Sequence, residues 1–310
     1  DYETVELATK FNSTAKRELY ADIATAAESG WDFSSRWVRE PSAKQLPANT
    51  IDYLRTLNTR SIIPIDLNSI LYMNEMTLSE FAGEIGDTKM VRSFKDAAGK
   101  RLEGIEELTW NEELGSYGDY NLTSKSSTNL FSLATYFPFW AESLPKDFAT
   151  NSTKVIKSFS RIIDLLSKYP GSPPTTLIDS GQQWDFPNSW PPLNYVLIKG
   201  LLNFHSRLID RGETDNEIFI SLARNLSQRY VDSVFCAWYS TGGSIPGLLE
   251  KLTNVTDNGH IFEKYNTLEL FLPGGGGEYV VQTGFGWTNG VLLWIFSKFG
   301  DVLKVPQCIE

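Results

Sequence analysis

Met90-Val91-Arg92-Ser93-Phe94-Lys95-Asp96-Ala97-Ala98-Gly99-Lys100-Arg101-Leu102-Glu103-Gly104-Ile105 is the stretch from which the fold class is read. Met90, Phe94, Ala98, Leu102 and Ile105 recur at spacings of four and three, which places them on one stripe of an amphipathic helix. Leu197, Leu201, Phe204 and Leu208 form a second stripe behind Pro191-Pro192. Proline suits a helix's first turn because that turn's N–H groups have no intrahelical partner anyway. Further helix-like runs cover 15–27, 70–85, 154–168, 217–235 and 291–299, while period-two alternation is scarce. The expected fold is therefore all-α. No internal repeat or low-complexity linker marks a boundary, so residues 1–310 are expected to form a single domain.

The chain has 310 residues, 41% of them hydrophobic and 13% aromatic, which is ample material for a packed core. Its net charge of −10 argues against a partner built of phosphates, because such a partner requires a basic surface. The same charge disfavours a polybasic membrane contact, and a neutral substrate fits best. No apolar run approaches the roughly 20 residues that span a bilayer; 290–296 is among the longest. The chain opens at Asp1 in helix-forming sequence, as a fragment or a processed product would. Five Asn-x-Ser/Thr triplets, at Asn12, Asn121, Asn151, Asn225 and Asn254, are candidate glycosylation sites and favour an extracellular, secreted glycoprotein, with a membrane-tethered parent also compatible. Cys236 and Cys308 could pair with each other, remain free thiols, or pair with cysteines elsewhere, and the sequence leaves these alternatives open.

Between the helical runs lie three loop regions, 28–47, 179–192 and 254–289, rich in Gly, Pro, Trp and acids. The first holds Glu28-Ser29-Gly30-Trp31-Asp32-Phe33-Ser34-Ser35-Arg36-Trp37. Indole faces suit the apolar faces of sugars, and an acid among aromatic rings is desolvated enough to keep and donate a proton. The plainer reading pairs Asp32 with Arg36 in a structural ion pair. The second holds Gln182-Gln183-Trp184-Asp185-Phe186-Pro187-Asn188-Ser189-Trp190-Pro191-Pro192, where Asp185 is at least as well suited to capping backbone N–H groups as to catalysis. The third holds Gly274-Gly275-Gly276-Gly277-Glu278-Tyr279 and Gly284-Phe285-Gly286-Trp287-Thr288-Asn289-Gly290. Its glycine run could approach a ligand closely or flex as a lid, but it is no phosphate loop, because no Lys-Ser or Lys-Thr follows. Upstream, Phe262-Glu263-Lys264-Tyr265-Asn266 offers a carboxylate that local sequence alone reads as an ordinary surface ion pair.

Only His205 and His260 are available as histidines, and neither CxxC nor GxSxG occurs. A histidine-rich metal site and a histidine-based triad therefore lack material, and no metal or organic cofactor is expected. Carboxylates with aromatics remain, the equipment of a glycoside hydrolase.

The three segments resemble the trehalases, inverting glycoside hydrolases that split α,α-trehalose into two glucose molecules. Glu28 to Trp37 is similar to the family's catalytic-acid segment, Gln183 to Pro192 to its QWD-PN-W-P signature, and Gly274 to Gly290 to its GGGGEY…Q-GFGWTNG signature. The Trp110-Asn111-Glu112-Glu113 and Asp119-Tyr120 stretch falls in order between them. The resemblance implies an (α/α)6 toroid with an active site ringed by loops at one end. It places the general acid on Asp32 and the general base on Glu263, and it implies substrate contacts at Gly30, Glu278, Trp184 and Trp31. It also implies an N-terminal portion, with a PGGRF-type signature and substrate-gripping arginines, that these residues do not contain. The toroid is therefore expected to be incomplete at its N-terminal side, and the activity is expected of the parent protein. The competing readings are hydrolysis of another glucoside by the same kind of toroid, and a sugar-binding protein without catalysis. A helical scaffold is a third.

Overall fold

The computed structural model describes residues 8–39, 54–146, 148, 150–213, 217–253, 256–277 and 280–308. In chain order its helices are α1 (Ser13–Glu28), α2 (Ile65–Glu84), α3 (Thr88–Gly104), α4 (Phe137–Trp140), α5 (Ser152–Ser158), α6 (Ser160–Lys168), α7 (Pro191–Asp210), α8 (Glu217–Thr241) and α9 (Gly286–Phe299). Strands among the described residues are two-residue pieces: β1 (Ile62–Ile63), β2 (Trp110–Asn111), β3 (Ser116–Tyr117), β4 (Tyr120–Asn121), β5 (Ser126–Ser127), β6 (Asn188–Ser189) and β7 (Tyr265–Asn266). The chain divides into two compact units, one made of Asp1–Ser61, Asp164–Tyr195 and Arg224–Glu310, the other of Ile62–Ile163 and Val196–Ala223.

In the second unit α3 forms where its stripe predicts, and Asp87 caps it by accepting from the N–H groups of Lys89 (3.1 Å) and Met90 (3.0 Å). The stripe is graded, from an exposed Met90 to buried Ala98 and Ile105. Its companion α2 is tied to it by Arg101, which donates Nε to Glu75 (3.0 Å) and Nη2 to the same carboxylate (2.7 Å) in a two-point ion pair. The helical run expected over 154–168 is split at Phe159 into α5 and α6. Phe159 is fully buried, with its ring 4.8 Å from that of Tyr136 and 4.9 Å from that of Phe139. Tyr117 and Phe148 continue this aromatic core. The strands β1, β4 and β5 form a small antiparallel sheet, with Ile62 opposite Asn121.

In the first unit α1 starts at Asn12, whose Oδ1 accepts from the Ala15 N–H at 2.9 Å, and gives way to Gly30 at φ +77°. Arg229 of α8 donates to the carbonyl of Leu166 (2.9 Å), an acceptor left over at the end of α6, and to that of Pro170 (2.6 Å) just beyond the helix. Of the alternatives left open for the cysteines, the structure has the disulfide: Cys236 is bonded to Cys308 across 72 residues of sequence, with Cα atoms 5.3 Å apart. Closing a loop of that length restricts the unfolded chain by about 4 kcal/mol. Cys308→Ser is therefore expected to lower the thermal midpoint of the oxidised protein, and reductant should have no further effect on it. A midpoint equal to that of the oxidised parent would rule out this role for the bond.

Candidate active site

The site is assembled from loops of the first unit. The segment after α1 is almost entirely interior: Trp31, Phe33, Arg36 and Trp37 are all at most 5% exposed, while Asp32 between them is half-buried. The Arg36 guanidinium lies 4.5 Å from the ring centres of both Trp31 and Trp37, so it is sandwiched between two indoles. The Trp37 Nε1 donates to the Trp31 carbonyl at 2.9 Å, closing the loop around Asp32. Gly30 is exposed, and a side chain at that position would meet nothing within 4 Å, leaving open space beside the acid.

Asp185 holds this loop in place. It is fully buried and accepts from Ser34 Oγ (2.9 Å), Ser35 N–H (2.6 Å), Ser35 Oγ (2.7 Å), Thr176 Oγ1 (2.7 Å) and Ser180 Oγ. It does cap a backbone N–H, but one 150 residues away in sequence rather than in its own turn. Burial pushes its carboxyl up to about 6 against the pull of these donors, the Ser180, Ser35 and Thr176 side chains foremost. Because the folded-state value is raised, this group's contribution to stability is full below the ordinary carboxylate range and is lost as pH rises through about 6. Truncation would still harm the fold, since it would strand five donors in the interior. Asp185→Ala is expected to cost about 3 kcal/mol of unfolding free energy at pH 7. An unchanged denaturant midpoint would contradict the anchoring role.

The 179–192 loop also clamps the acid directly. The Trp184 N–H donates to the Phe33 carbonyl at 3.1 Å, and Gln183 Nε2 donates to the Asp32 carbonyl. Trp184 stacks flat on Trp190, with ring centres 3.8 Å apart, and more loosely on Trp31 at 5.3 Å. Both indoles singled out for sugar contact are thus buried within an aromatic stack. The Trp184 Nε1 meets no acceptor in hydrogen-bonding geometry, although it is close enough to act on the Asp32 carboxyl.

The second carboxylate, Glu263, lies two residues before β7. This strand pairs antiparallel with β6, Ser189 opposite Tyr265, which sets the Glu263-Lys264 pair beside the Gln183–Trp190 segment. The α9 helix fixes the same stretch from the other side, as Thr288 Oγ1 donates to the Phe262 carbonyl at 3.1 Å. The Glu263 N–H donates to the Gln282 carbonyl at 3.0 Å. Glu263 is 8% exposed, and the reading of it as a surface residue is corrected accordingly. Lys264 is wholly buried; its Nζ donates to Glu263 Oε2 (3.1 Å) and to Gln183 Oε1 (3.2 Å), and lies 4.9 Å from the Trp190 ring centre.

The glycine run lies against this framework. The Gly277 N–H donates to the Gly181 carbonyl at 3.0 Å, and Gly275 exchanges hydrogen bonds with the Asn188 amide at 2.9 and 2.8 Å. A Cβ on Gly274 would sit 2.6 Å from Asn188 Oδ1, and one on Gly276 would sit 2.7 Å from the Gly181 carbonyl oxygen. The glycines at these two positions therefore permit a close backbone approach to the loop that carries Gln183 and Trp184. Glu278 lies outside the described residues, as does Asn254.

Electrostatically the two carboxylates and the lysine act on one another. Burial, above all, raises the Asp32 carboxyl from its ordinary value; its own backbone N–H opposes this, the Glu263 charge adds to the rise, and the Trp184 indole and Lys264 pull against it. Burial lowers the Lys264 ammonium, with the neighbouring Glu263 and Asp32 resisting. One carboxyl placed to keep its proton beside a carboxylate held by a cation is the arrangement of a general acid with a general base. No group of three or more metal-type ligands occurs among the described residues. A cavity of about 440 Å³ elsewhere in this unit, lined by Val231, Phe235, Trp238, Leu292 and Phe296 among others, carries no acid and is separate from this chemistry.

A family model described as trehalase matches residues 1–300. The chain belongs to the trehalase family. It is 34% identical over 310 residues to a trehalase of Dictyostelium discoideum, a match covering 99% of this chain and 47% of that protein. It is 32% identical to a trehalase of Bombyx mori, across 100% of this chain and 48% of the relative. Against a periplasmic trehalase of Escherichia coli it is 36% identical over 89% of this chain and 40% of the relative. The chain spans about half the length of the curated relatives it matches. Among solved structures, neutral trehalase Nth1 from Saccharomyces cerevisiae superposes with a TM-score of 0.63 at 20% identity, over 93% of this chain and 44% of that one. A mannosylglycerate hydrolase from Thermus thermophilus, solved with glucose, gives 0.56 at 17% identity, over 91% of this chain and 65% of that one. This likeness is one of fold: mostly helical, of the (α/α)6 toroid type.

The sequence offered Asp32 and Glu263 as acid and base and Asp185 as a backbone cap, but it did not show that Asp185 anchors Ser34 and Ser35 or that Lys264 is buried against Glu263. Asp185 lies between Trp184 and Phe186, and the Glu263-Lys264 pair lies between Phe262 and Tyr265; that aromatic flanking was the available signal for buried charge.

Proposed function

We propose that the protein hydrolyses α,α-trehalose to two glucose molecules with inversion at one anomeric carbon. Asp32, protonated, donates to the glycosidic oxygen while Glu263, ionised, takes a proton from a water attacking C1 on the opposite face. The bond from C1 to the bridging oxygen breaks as the bond from C1 to the water oxygen forms. One glucose leaves as the α anomer and the other is released as β. The observation that carries this reading is the pair itself: a half-buried acid raised by burial and by the charge of a second carboxylate that a buried lysine grips. Residues 1–310 are read as part of one catalytic domain, consistent with a family match that runs through both compact units.

In this reading Gly30 leaves room for the substrate, and the Trp184 Nε1 donates toward the sugar or the acid. Trp31 backs that indole, and Glu278 contacts the sugar. A disulfide and exposed Asn12, Asn151 and Asn225 fit a secreted glycoprotein, whereas Asn121 is buried with its Oδ1 accepting from Thr123 at 2.8 Å. No described helix is long and apolar enough to cross a membrane. The test is glucose release by the complete protein from trehalose, maltose and sucrose in parallel. Turnover of trehalose alone supports the assignment. Preference for another disaccharide moves it to a different glucosidase, and binding without release moves it to a sugar-binding protein.

A further inference from the structure

Three loops of the first unit meet in one continuous line of hydrogen bonds that includes both proposed catalytic residues. Gln183 Nε2 donates to the Asp32 carbonyl, Lys264 Nζ donates to Gln183 Oε1 at 3.2 Å, and the same Nζ donates to Glu263 Oε2 at 3.1 Å. The Gln183 amide can take only this orientation. Reversed, it would set an NH2 group against the ammonium and a carbonyl oxygen against the Asp32 carbonyl. Lys264 itself is 0% exposed and backed by the Trp190 ring, so its charge is directed at these neighbours and not at solvent or a sugar. The charged groups acting here are Asp32 from the first loop and Glu263 with Lys264 from the third; the 179–192 loop contributes the neutral Gln183 and the aromatic Trp184 and Trp190.

We infer that Gln183 and Lys264 are positioning residues that hold the acid and the base in register, with the Lys264 ammonium serving as counter-charge to the Glu263 carboxyl. The inference rests on the reaction proposed above and deepens it. A neutral side chain at 264 would leave Glu263 buried beside a second carboxyl without its counter-charge, and the pair would then favour sharing a proton. A side chain at 183 that cannot hydrogen-bond would free the Asp32 backbone from the rest of the line. Misplacement of a reacting group by about 1 Å can cost on the order of 100-fold in rate.

The test compares pH profiles of kcat/KM for trehalose hydrolysis by the complete protein and by its Lys264→Met, Lys264→Arg and Gln183→Met variants, each checked for a cooperative thermal melt. Lys264→Met is expected to lose about 100-fold at the optimum, with the acid-side limb moved about one pH unit upward as the counter-charge is removed. Lys264→Arg should return that limb to its original position. Gln183→Met should lower kcat at least about 10-fold with KM little changed and both limbs in place. Limbs that stay fixed in a folded Lys264→Met with kcat/KM within threefold of the parent would reduce the lysine to packing. If Lys264→Met does not fold, the decision passes to Gln183→Met, where an undiminished kcat would overturn the inference. A parent protein that releases no glucose would instead overturn the reaction itself.

Discussion

Asp32→Asn is expected to lower kcat for trehalose by at least about 100-fold. The substitution keeps the shape of the side chain and leaves the loop's supports in place, since Asp185 binds Ser34 and Ser35 and Gln183 binds the Asp32 backbone. What it removes is the dissociable proton that the leaving glucose needs. Because that proton matters only as the bond breaks, kcat and kcat/KM should fall together. The pH profile of the parent should carry the same signature. Burial and the Glu263 charge raise the Asp32 carboxyl, so the protonated, active form persists above the ordinary carboxylate range and the rate falls as pH rises through the raised value. In Asp32→Asn this alkaline-side limb should disappear. An α-glucosyl fluoride, whose leaving group needs no proton, should be turned over by Asp32→Asn far better than trehalose is. Near-parental turnover of trehalose would remove Asp32 from its role.

Glu263→Gln is expected to produce a loss of the same size, at least about 100-fold, for a different reason. Water is a poor nucleophile until a base takes its proton, and Gln cannot do so. The variant also leaves the Lys264 ammonium buried without its counter-ion, so a lower thermal midpoint should accompany the kinetic loss. Added azide needs no deprotonation and should restore turnover to Glu263→Gln while doing nothing for Asp32→Asn. Rescue of both variants, or of Asp32→Asn alone, would exchange or erase the two assignments.

The fold class was legible because a helix stripe is a local property: the α3 stripe from Met90 to Ile105 and the α7 stripe from Leu197 to Leu208 are each contained within one stretch of chain. The split of α5 from α6 was not legible, since Phe159 fits the helical period and only its buried aromatic neighbours distinguish it. Asp32 stood out for its aromatic setting. Glu263 did not, because what buries it comes from residues far away in sequence: the β6 pairing, the Gln282 main chain and the helix that begins at Gly286. Asp185 shows the same limit, for a spacing of 150 residues between a carboxylate and the N–H it accepts from leaves no periodic trace. The glycine run was legible as a place of close approach, but not that its partner is the protein's own 181–188 segment.

The most direct measurement is the anomeric form of the first glucose released, read by proton NMR before mutarotation during trehalose hydrolysis by the complete protein. A single displacement by water held at Glu263, across the sugar from Asp32, predicts equal amounts of α- and β-glucose. Release of α-glucose alone would mean net retention, and would contradict the assignment of Asp32 and Glu263 as acid and base of an inverting pair.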